Sequence, residues 1–263
     1  MIRVGVFGAA GRMGAAVCRA VLDDSDLELV AAVDPSRADT DLDQIGIHGS
    51  GIRIAGHPDV MRDANVDVAV DFTALTAARE NLAWCAKNGV HAVVGTTGFS
   101  PADLDVFRDQ FEASTANALI APNFAIGAVL MMRFAEMAAP YFESAEVIEL
   151  HHDAKTDAPS GTAMLTVERM AAASSVWARD PTTTVVVPGA RGGQGAAGIR
   201  IHSVRLRGMV AHQEVLLGTT GQSLSIRHDS YDRTSFMPGV VLAVRRIQDR
   251  PGLTIGLDAL LGL

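Results

Sequence analysis

The chain of 263 residues is long enough for one large or two modest domains, and its composition, 48% hydrophobic and 20% charged, is typical of an ordinary globular protein. A formal net charge of -8 argues against nucleic acid as a partner, because binding a polyanion needs a basic surface. No charged leader precedes an apolar run, and no segment approaches the roughly 18 apolar residues of a membrane span. We therefore expect a cytoplasmic protein of two domains with no membrane partner.

The first predicted element is a strand, Arg3–Phe7, which runs directly into a glycine loop and an amphipathic helix. Glycines allow the backbone to approach a pyrophosphate, and the helix N-terminus offers N–H groups and the positive end of its dipole. The glycine spacing departs from G-x-G-x-x-G, and a glycine-rich turn also suits any tight strand-to-helix connection. The candidate cofactor residues of this loop are Gly8, Ala9, Ala10, Gly11, Arg12 and Met13, with Gly14 closing it.

A second predicted strand, Leu27–Val33, ends at Asp34, about 20 residues past the glycine loop, where a ribose-binding carboxylate belongs. Asp34 also suits a turn before Pro35, and the two roles are compatible. With the glycine loop, this carboxylate predicts dinucleotide binding. A carboxylate favours a free ribose 2′-hydroxyl, so we expect NADH to be preferred and NADPH to be tolerated through Arg37 or Arg12.

Strands and helices then alternate, which predicts a doubly wound, parallel, Rossmann-like sheet. The predicted elements are strand Val66–Phe72, helix Leu75–Lys87, strand Val90–Val94, a helix opened by Ser100-Pro101 with Asp103 in its first turn, and strand Leu119–Ala121. Ligands of such sheets lie beyond the carboxyl ends of the strands.

Three segments occupy these carboxyl ends, and each alone could be a polar turn. Their equivalent positions favour a cleft for the cofactor. The segments are Asp71-Phe72-Thr73, Gly95-Thr96-Thr97-Gly98 and Ala121-Pro122-Asn123-Phe124.

From Ser144 onward the pattern changes to α+β. We predict strand Glu146–Leu150, helix Thr162–Ala173, antiparallel strands Ile199–Arg205, Val210–Leu217 and Leu224–Arg227, and a last helix, Val240–Ile247, that packs back onto the first domain. The expected division is a dinucleotide-binding domain of residues 1–123 and 236–263, with residues 124–235 forming an α+β substrate-binding domain.

The fourteen residues from Glu149 to Thr162 include two histidines, a lysine and two aspartates. Ser160-Gly161-Thr162 starts a helix after Pro159 and would suit a carboxylate, while Lys155 adds an ammonium. His151 or His152 offers a proton near neutral pH. Each residue alone could be a helix cap, a surface charge or a core histidine, but together they predict a carboxylate-bearing substrate that gains a hydride and a proton.

Two other kinds of site are disfavoured. Paired histidines with Asp153 and Asp157 resemble a metal site, but adjacent strand residues point to opposite faces and cannot easily share one ion, so no metal is predicted. Cys18 and Cys85 both lie at helical apolar spacing, which favours packing over a catalytic thiol such as a semialdehyde dehydrogenase uses.

Over nearly its entire length the chain resembles the 4-hydroxy-tetrahydrodipicolinate reductase family, also called dihydrodipicolinate reductase. The resemblance is carried by the glycine loop, Gly95–Phe99, Ala121–Phe124, Ile201–Arg205, Arg227–Arg233 and, most specifically, Glu149-Leu150-His151-His152 with Lys155 and Asp157-Ala158-Pro159-Ser160-Gly161-Thr162-Ala163.

The resemblance implies NAD(P)H-dependent reduction of 4-hydroxy-tetrahydrodipicolinate to tetrahydrodipicolinate, on the route to diaminopimelate and lysine. It implies that His151 exchanges the proton, that Lys155 is a second acid and substrate anchor, and that His152, Gly161 and Thr162 bind substrate carboxylate. Ser160 is a further candidate for substrate binding because of its place at the predicted helix start. Gly8–Met13, Asp34, Gly95–Thr97 and Ala121–Phe124 would line the cofactor. The family resemblance also implies a homotetramer built through the substrate domain. Because the two predicted sites lie on separate domains, we also expect the domains to close for hydride transfer.

A different class of function is a dinucleotide-binding sensor that has lost turnover. Such a protein would be expected to have gaps in its acid and anchor residues. His151, Lys155, Ser160, Gly161 and Thr162 are all present, so the sequence favours the enzyme.

Overall fold

The computed structural model describes residues 1–262, which divide into two compact units. Residues 1–124 and the described chain from Phe236 onward form the N-terminal unit, and residues 125–235 form the inserted unit. The strands are β1 (Ile2–Phe7), β2 (Leu27–Val33), β3 (Val68–Asp71), β4 (His91–Val94), β5 (Ala118–Ile120), β6 (Ser144–His151), β7 (Gly193–Gln194), β8 (Arg200–Arg205), β9 (Ala211–Thr219), β10 (Gln222–Ser230) and β11 (Leu253–Ile255). The helices are α1 (Arg12–Leu22), α2 (Asp59–Asp63), α3 (Leu75–Asn88), α4 (Pro101–Glu112), α5 (Ile126–Ala138), α6 (Gly161–Ala173), α7 (Met237–Arg246) and α8 (Asp258–Leu261).

The N-terminal unit is built on a parallel sheet whose strand order, within the described residues, is β11-β5-β4-β3-β1-β2. The predicted doubly wound sheet is confirmed. Its central strands β1, β3 and β4 are apolar runs buried on both faces, as expected for a parallel sheet covered by helices. The strand order reverses between β1 and β3, so their carboxyl ends open a crevice suited to a ligand.

The termini of helices in this unit follow the local sequence signals. Ser100 caps α4 by accepting from Asp103 N, and Asp103 Oδ2 in return accepts from Ser100 N at 2.8 Å. Arg79 on α3 donates to both oxygens of Asp103 at 2.8 Å. This bidentate pair joins the first turn of α4 to α3.

Cys18 and Cys85 are buried on α1 and α3, which confirms the packing prediction. Burial raises the pKa of Cys18 to about 12 and raises the pKa of Cys85 as well. Neither thiol is therefore ionised near neutral pH, and neither has the environment of a nucleophile.

Two C-terminal elements complete the N-terminal unit. Helix α7 begins at Met237, three residues earlier than predicted, and contacts α1 and β4. Strand β11 was not predicted, because it has three residues between Gly252 and Gly256, and it pairs with β5 at the edge of the sheet. The chain thus returns to the first sheet after the inserted unit.

The inserted unit has a mixed sheet of order β10-β9-β6-β8-β7 within the described residues. Strand β9 runs antiparallel to β10, as predicted, and also antiparallel to β6. Strand β8, predicted as antiparallel, pairs antiparallel with β7 but parallel with β6, and this parallel pairing was not predicted. Helix α6 and the chain after it form a crossover that returns to the starting end of β6.

Helix α6 packs against β6, and the buried face of this strand carries Glu149. Ala145, Val147 and Glu149 alternate on the buried face, and α6 contacts this strand. Helix α5 was not predicted and contacts both α6 and β10. No helix within residues 1–262 is both long enough and apolar enough to cross a membrane.

Candidate active site

The glycine loop after β1 forms a tight cradle against the start of α1. Gly8 adopts φ +67°, which side chains other than glycine rarely tolerate, and a Cβ on Gly14 would lie 2.1 Å from Gly8 O. Gly11 is the N-cap of α1 and has no side chain to satisfy the first-turn N–H groups. The backbone here is therefore shaped to receive an anion at a helix N-terminus.

Asp34 ends β2 beside this loop and is 9% exposed. Its Oδ2 accepts from Ala10 N at 3.1 Å, while Oδ1 accepts from Ser36 N at 3.1 Å and from Ser36 Oγ at 2.7 Å. The carboxylate therefore supports the glycine loop and caps the helical turn Pro35–Arg37. Oδ2 has capacity for a further hydrogen bond from a ligand hydroxyl.

A cavity of about 700 Å³ opens beyond the carboxyl ends of β1, β2 and β3. Its size suits part of a dinucleotide. Of the residues that line this cavity, the sequence predicted Gly8, Gly11, Asp34 and Thr73 as part of a cofactor cleft. It did not predict His57 and Trp84. Arg12 and Arg37, the predicted contacts for a 2′-phosphate, are exposed and are not among the described residues that line it.

The three predicted loop segments meet at the same edge of the sheet. Thr96 Oγ1 donates to Thr73 O at 2.8 Å, and the rings of Phe72 and Phe124 lie 5.6 Å apart. A Cβ on Gly95 would lie 2.0 Å from the Phe72 ring, so glycine is required there for packing. The structure thus brings these candidate cofactor residues together, with Thr97 and Pro122 exposed and with Ala121 buried.

The candidate proton donor, His151, is the last residue of β6 in the inserted unit. Its Nδ1 is hydrogen-bonded to Glu149 Oε2. Because an ionised carboxylate only accepts, Nδ1 carries the hydrogen. Burial lowers the pKa of His151, while the Glu149 carboxylate acts in the opposite direction and Lys155 and Arg205 reinforce the lowering. This imidazole is therefore a group that can release a proton readily near neutral pH.

Lys155 follows in the loop after β6, and its Nζ donates to both oxygens of Asp157 at 2.7 and 2.9 Å. Lys155 N also donates to the carbonyl of His152, whose side chain is exposed. Arg205 on β8 donates to Asp157 O at 2.7 Å and so holds the loop to the sheet. The Lys155 ammonium is therefore paired with a carboxylate two residues along the chain, in an exposed loop that a substrate can reach.

The start of α6 is the candidate carboxylate site. Ser160 is 3% exposed, and its hydroxyl accepts from Ala163 N at 3.2 Å, so the hydroxyl is used as a helix cap. Gly161, the first residue of the helix, is exposed, and nothing lies within 4 Å of the position a Cβ would take. The first turn of α6 thus offers room and a favourable dipole to an anion.

Glu149 and Arg205 are the site residues that sequence reasoning missed. Both lie in the motifs that carry the family resemblance, but the sequence did not predict a role for either residue. The available signal was the period-two pattern of β6, which places a charged Glu149 on the same face as Val147. Among residues 1–262, no group of three His, Cys, Asp or Glu side chains is arranged to hold a metal ion.

These features define a class of protein. A parallel sheet with a glycine cradle and a carboxylate at the end of β2 is the binding unit of nicotinamide-dinucleotide oxidoreductases. The inserted unit adds a histidine, a lysine and a helix N-terminus that suit an acidic substrate.

Comparison with known proteins places the chain within this class. Residues 2–124 match the model for the N-terminus of dihydrodipicolinate reductase, and residues 127–261 match the model for its C-terminus. The chain belongs to the dihydrodipicolinate reductase family.

Individual members of this family align with the chain over nearly their full length. The chain is 52% identical to the 4-hydroxy-tetrahydrodipicolinate reductase of Nocardia farcinica, covering 100% of this chain and 99% of that one. It is 48% identical to the protein of the same name from Cutibacterium acnes, with 100% of both chains covered. The dipicolinate-bound dihydrodipicolinate reductase from Paenisporosarcina sp. TG-14 superposes with a TM-score of 0.87 at 38% identity, covering 98% of this chain and 99% of that one.

Proposed function

We propose that this protein catalyses the NAD(P)H-dependent reduction of 4-hydroxy-tetrahydrodipicolinate to tetrahydrodipicolinate, on the route to diaminopimelate and lysine. The observation that carries the proposal is the gathering of His151, Lys155 and the start of α6 in one unit of a chain whose other unit holds a dinucleotide cradle. The relative with dipicolinate bound supports a cyclic dicarboxylate as the ligand. The resemblance further supports a cytoplasmic homotetramer, with the inserted unit binding substrate and joining the subunits.

The residues of the inserted unit would orient the substrate and move the proton. One substrate carboxylate would bind at Gly161 and Thr162, at the positive end of α6, with His152 beside it. Lys155 would pair with a carboxylate in place of Asp157 and hold the ring in position. His151 would give its proton from Nε2 as the ring gains electron density.

The N-terminal unit would hold the cofactor, which supplies the hydride when bound. The pyrophosphate would lie on the glycine loop and the start of α1, and the ribose hydroxyls would donate to Asp34 Oδ2. Gly95–Thr97 and Ala121–Phe124 would line the nicotinamide end. The net reaction takes up one hydride and one proton and releases one water.

The test is oxidation of NADH or NADPH by the protein, with substrate generated in situ from pyruvate and aspartate semialdehyde by a synthase. We expect rapid oxidation that requires both precursors. His151→Gln should lower kcat by about 10² to 10⁴-fold, the usual contribution of a general acid, with unchanged NADH affinity. His202→Gln is the matched control, because His202 lies on β8 and pairs with Glu146 away from His151.

Two results would contradict this function. Folded protein that binds NADH but oxidises neither cofactor would instead indicate the sensor. Full turnover by His151→Gln would remove His151 from the proton step while leaving the reaction itself established.

We also propose that NADH is the preferred cofactor and that NADPH is tolerated. The Asp34 carboxylate accepts from a ribose hydroxyl and repels a 2′-phosphate. Asp34→Asn should lower kcat/KM for NADH about tenfold, the typical effect of losing a hydrogen bond to a charged group, and should leave kcat/KM for NADPH unchanged or higher.

The control is Asp63→Asn, an exposed carboxylate at the end of α2. It removes the same charge away from the cavity and should leave the cofactor ratio unchanged. Comparable kcat/KM values of the unmodified protein for NADH and NADPH would refute the preference.

A further inference from the structure

Glu149 is a charged side chain in a position where the fold otherwise places apolar groups. It lies on the buried face of β6 with Ala145 and Val147, and it is 0% exposed. A buried carboxylate is costly unless it is paired and hydrogen-bonded. Its presence under the site therefore calls for a physical explanation.

The carboxylate is bonded by donors from three parts of the inserted unit. Arg205 on β8 donates to Oε1 at 2.8 Å and to Oε2 at 2.9 Å, as a two-pronged pair. Ser160 N, at the start of α6, donates to Oε1 at 3.2 Å. His151 Nδ1 donates to Oε2. Burial alone would raise the pKa of Glu149, but the hydrogen bonds from Arg205, Ser203 and His151 lower it on balance, so the group is an anion.

We infer that Glu149 is the positioning residue of this site. It fixes His151 with a hydrogen on Nδ1, which leaves Nε2 to carry the transferred proton, and it holds the start of α6 in a set position relative to that imidazole. The inference rests on the proposed role of His151. Glu149 itself touches no reacting atom, because it is enclosed beneath His151 and Ser160.

The arrangement has a chemical consequence for proton transfer. When Nε2 releases its proton, the neutral imidazole already has its hydrogen on Nδ1 and keeps its bond to the carboxylate, so no tautomer change is needed. Glu149 also stabilises the imidazolium before transfer. The other charged groups that act on this imidazole are Lys155 from the loop and Arg205 from β8, and both disfavour the imidazolium.

The first test needs neither turnover nor a variant of Glu149. In protein labelled with ¹⁵N-histidine, the resonances of His151 are assigned by their loss in His151→Gln. The neutral form of His151 should carry its hydrogen on Nδ1, with Nε2 unprotonated. A neutral imidazole with its hydrogen on Nε2 would overturn the inference, even if the enzymatic function stands.

The second test is the pH profile of Glu149→Gln. Loss of the neighbouring negative charge should lower the His151 pKa by about one unit, within the range for a close opposite charge. Because the protonated imidazole is the active form, the alkaline limb of kcat/KM should move about one unit to lower pH. Activity on that limb should therefore fall about tenfold.

Glu146→Gln is the matched control for this profile. Glu146 also lies on β6 and holds a histidine, accepting from His202 Nε2 at 2.7 Å, but on the opposite face of the strand. The alkaline limb of the kcat/KM profile of Glu146→Gln should coincide with that of the unmodified protein. A folded Glu149→Gln protein whose limb does not move, whatever its loss of stability, would show that Glu149 is only structural.

Discussion

At the scale of the residue, Lys155 is a half-buried lysine whose charge is held in place by a neighbouring carboxylate. The sequence contains two lysines, Lys87 and Lys155. Lys155 is held against Asp157 in the loop before α6, whereas Lys87 is exposed in the last turn of α3. In the proposed role, the pairing would keep the ammonium in place until a substrate carboxylate replaces Asp157.

Lys155→Met tests this role. Removing one charge-assisted hydrogen bond should raise KM for the dicarboxylate about 10 to 100-fold, while NADH affinity stays unchanged. The steady-state assay with each precursor varied provides the measurement. Lys87→Met should behave like the unmodified protein, and a KM for Lys155→Met within twofold of the original would remove Lys155 as the anchor.

At the scale of the element, the junction between the glycine loop and α1 depends on the absence of a side chain at Gly14. A Cβ there would lie 2.1 Å from Gly8 O and 2.9 Å from Ala9 Cα, and both are backbone atoms. Helix and loop would have to separate. The same separation would widen the anion cradle at the start of α1.

Gly14→Ala should therefore lower the free energy of unfolding by about 1 to 3 kcal/mol, the usual cost of overpacking, and weaken NADH binding at least tenfold. Denaturant unfolding and NADH fluorescence titration measure the two effects. Gly193→Ala on β7 is the control, since the nearest atom to its added Cβ lies 3.9 Å away. Unchanged NADH affinity in Gly14→Ala would show that the cradle does not depend on this close approach.

The elements that sequence predicted well are those with a local signal. Strand β2 was predicted with its observed bounds, and the Ser100 cap of α4 was identified from its own neighbours. Helix α5 was missed because apolar residues occupy most of its positions, so it lacks a clear polar face. Strand β11 was missed because three residues carry too little pattern.

At the scale of the whole molecule, ionised carboxylates stabilise both units. Hydrogen bonds from Arg79 hold the pKa of Asp103 well below its usual value. In the inserted unit, backbone and side-chain hydrogen bonds from Thr182 lower the pKa of Asp180 to about 2, and the pKa of Glu149 is also lowered on balance. In the opposite direction, burial raises the pKa of Asp71.

A carboxyl group whose folded pKa is depressed contributes stability above its unfolded pKa, and this contribution is lost as the pH falls through the folded pKa. The three carboxyl groups with a lowered pKa therefore predict a Tm that falls between about pH 4 and 2. Scanning calorimetry across this range measures it. Asp103→Asn should lower Tm at pH 7 and make the acid decline shallower, whereas a Tm that rises from pH 5 to 3 would contradict the prediction.

Features whose atoms are close along the chain could be predicted from the residues alone. The glycine cradle, Asp34 at the end of its strand, and the Ser160 cap of α6 each depend on residues within a few positions, where backbone geometry and hydrogen bonding leave few alternatives. The motif around His151 and Lys155 likewise identified the family, and the substrate site that it predicts stays a prediction.

The pairing of distant segments became clear from the three-dimensional fold. It set β8 parallel to β6, returned β11 and α7 to the first sheet, and placed Arg205 against Glu149 across 56 residues of chain. It also joined Thr96 to Thr73 at the edge of the sheet. Such contacts depend on strand register and on which buried faces meet, and residues far apart in sequence do not specify these locally.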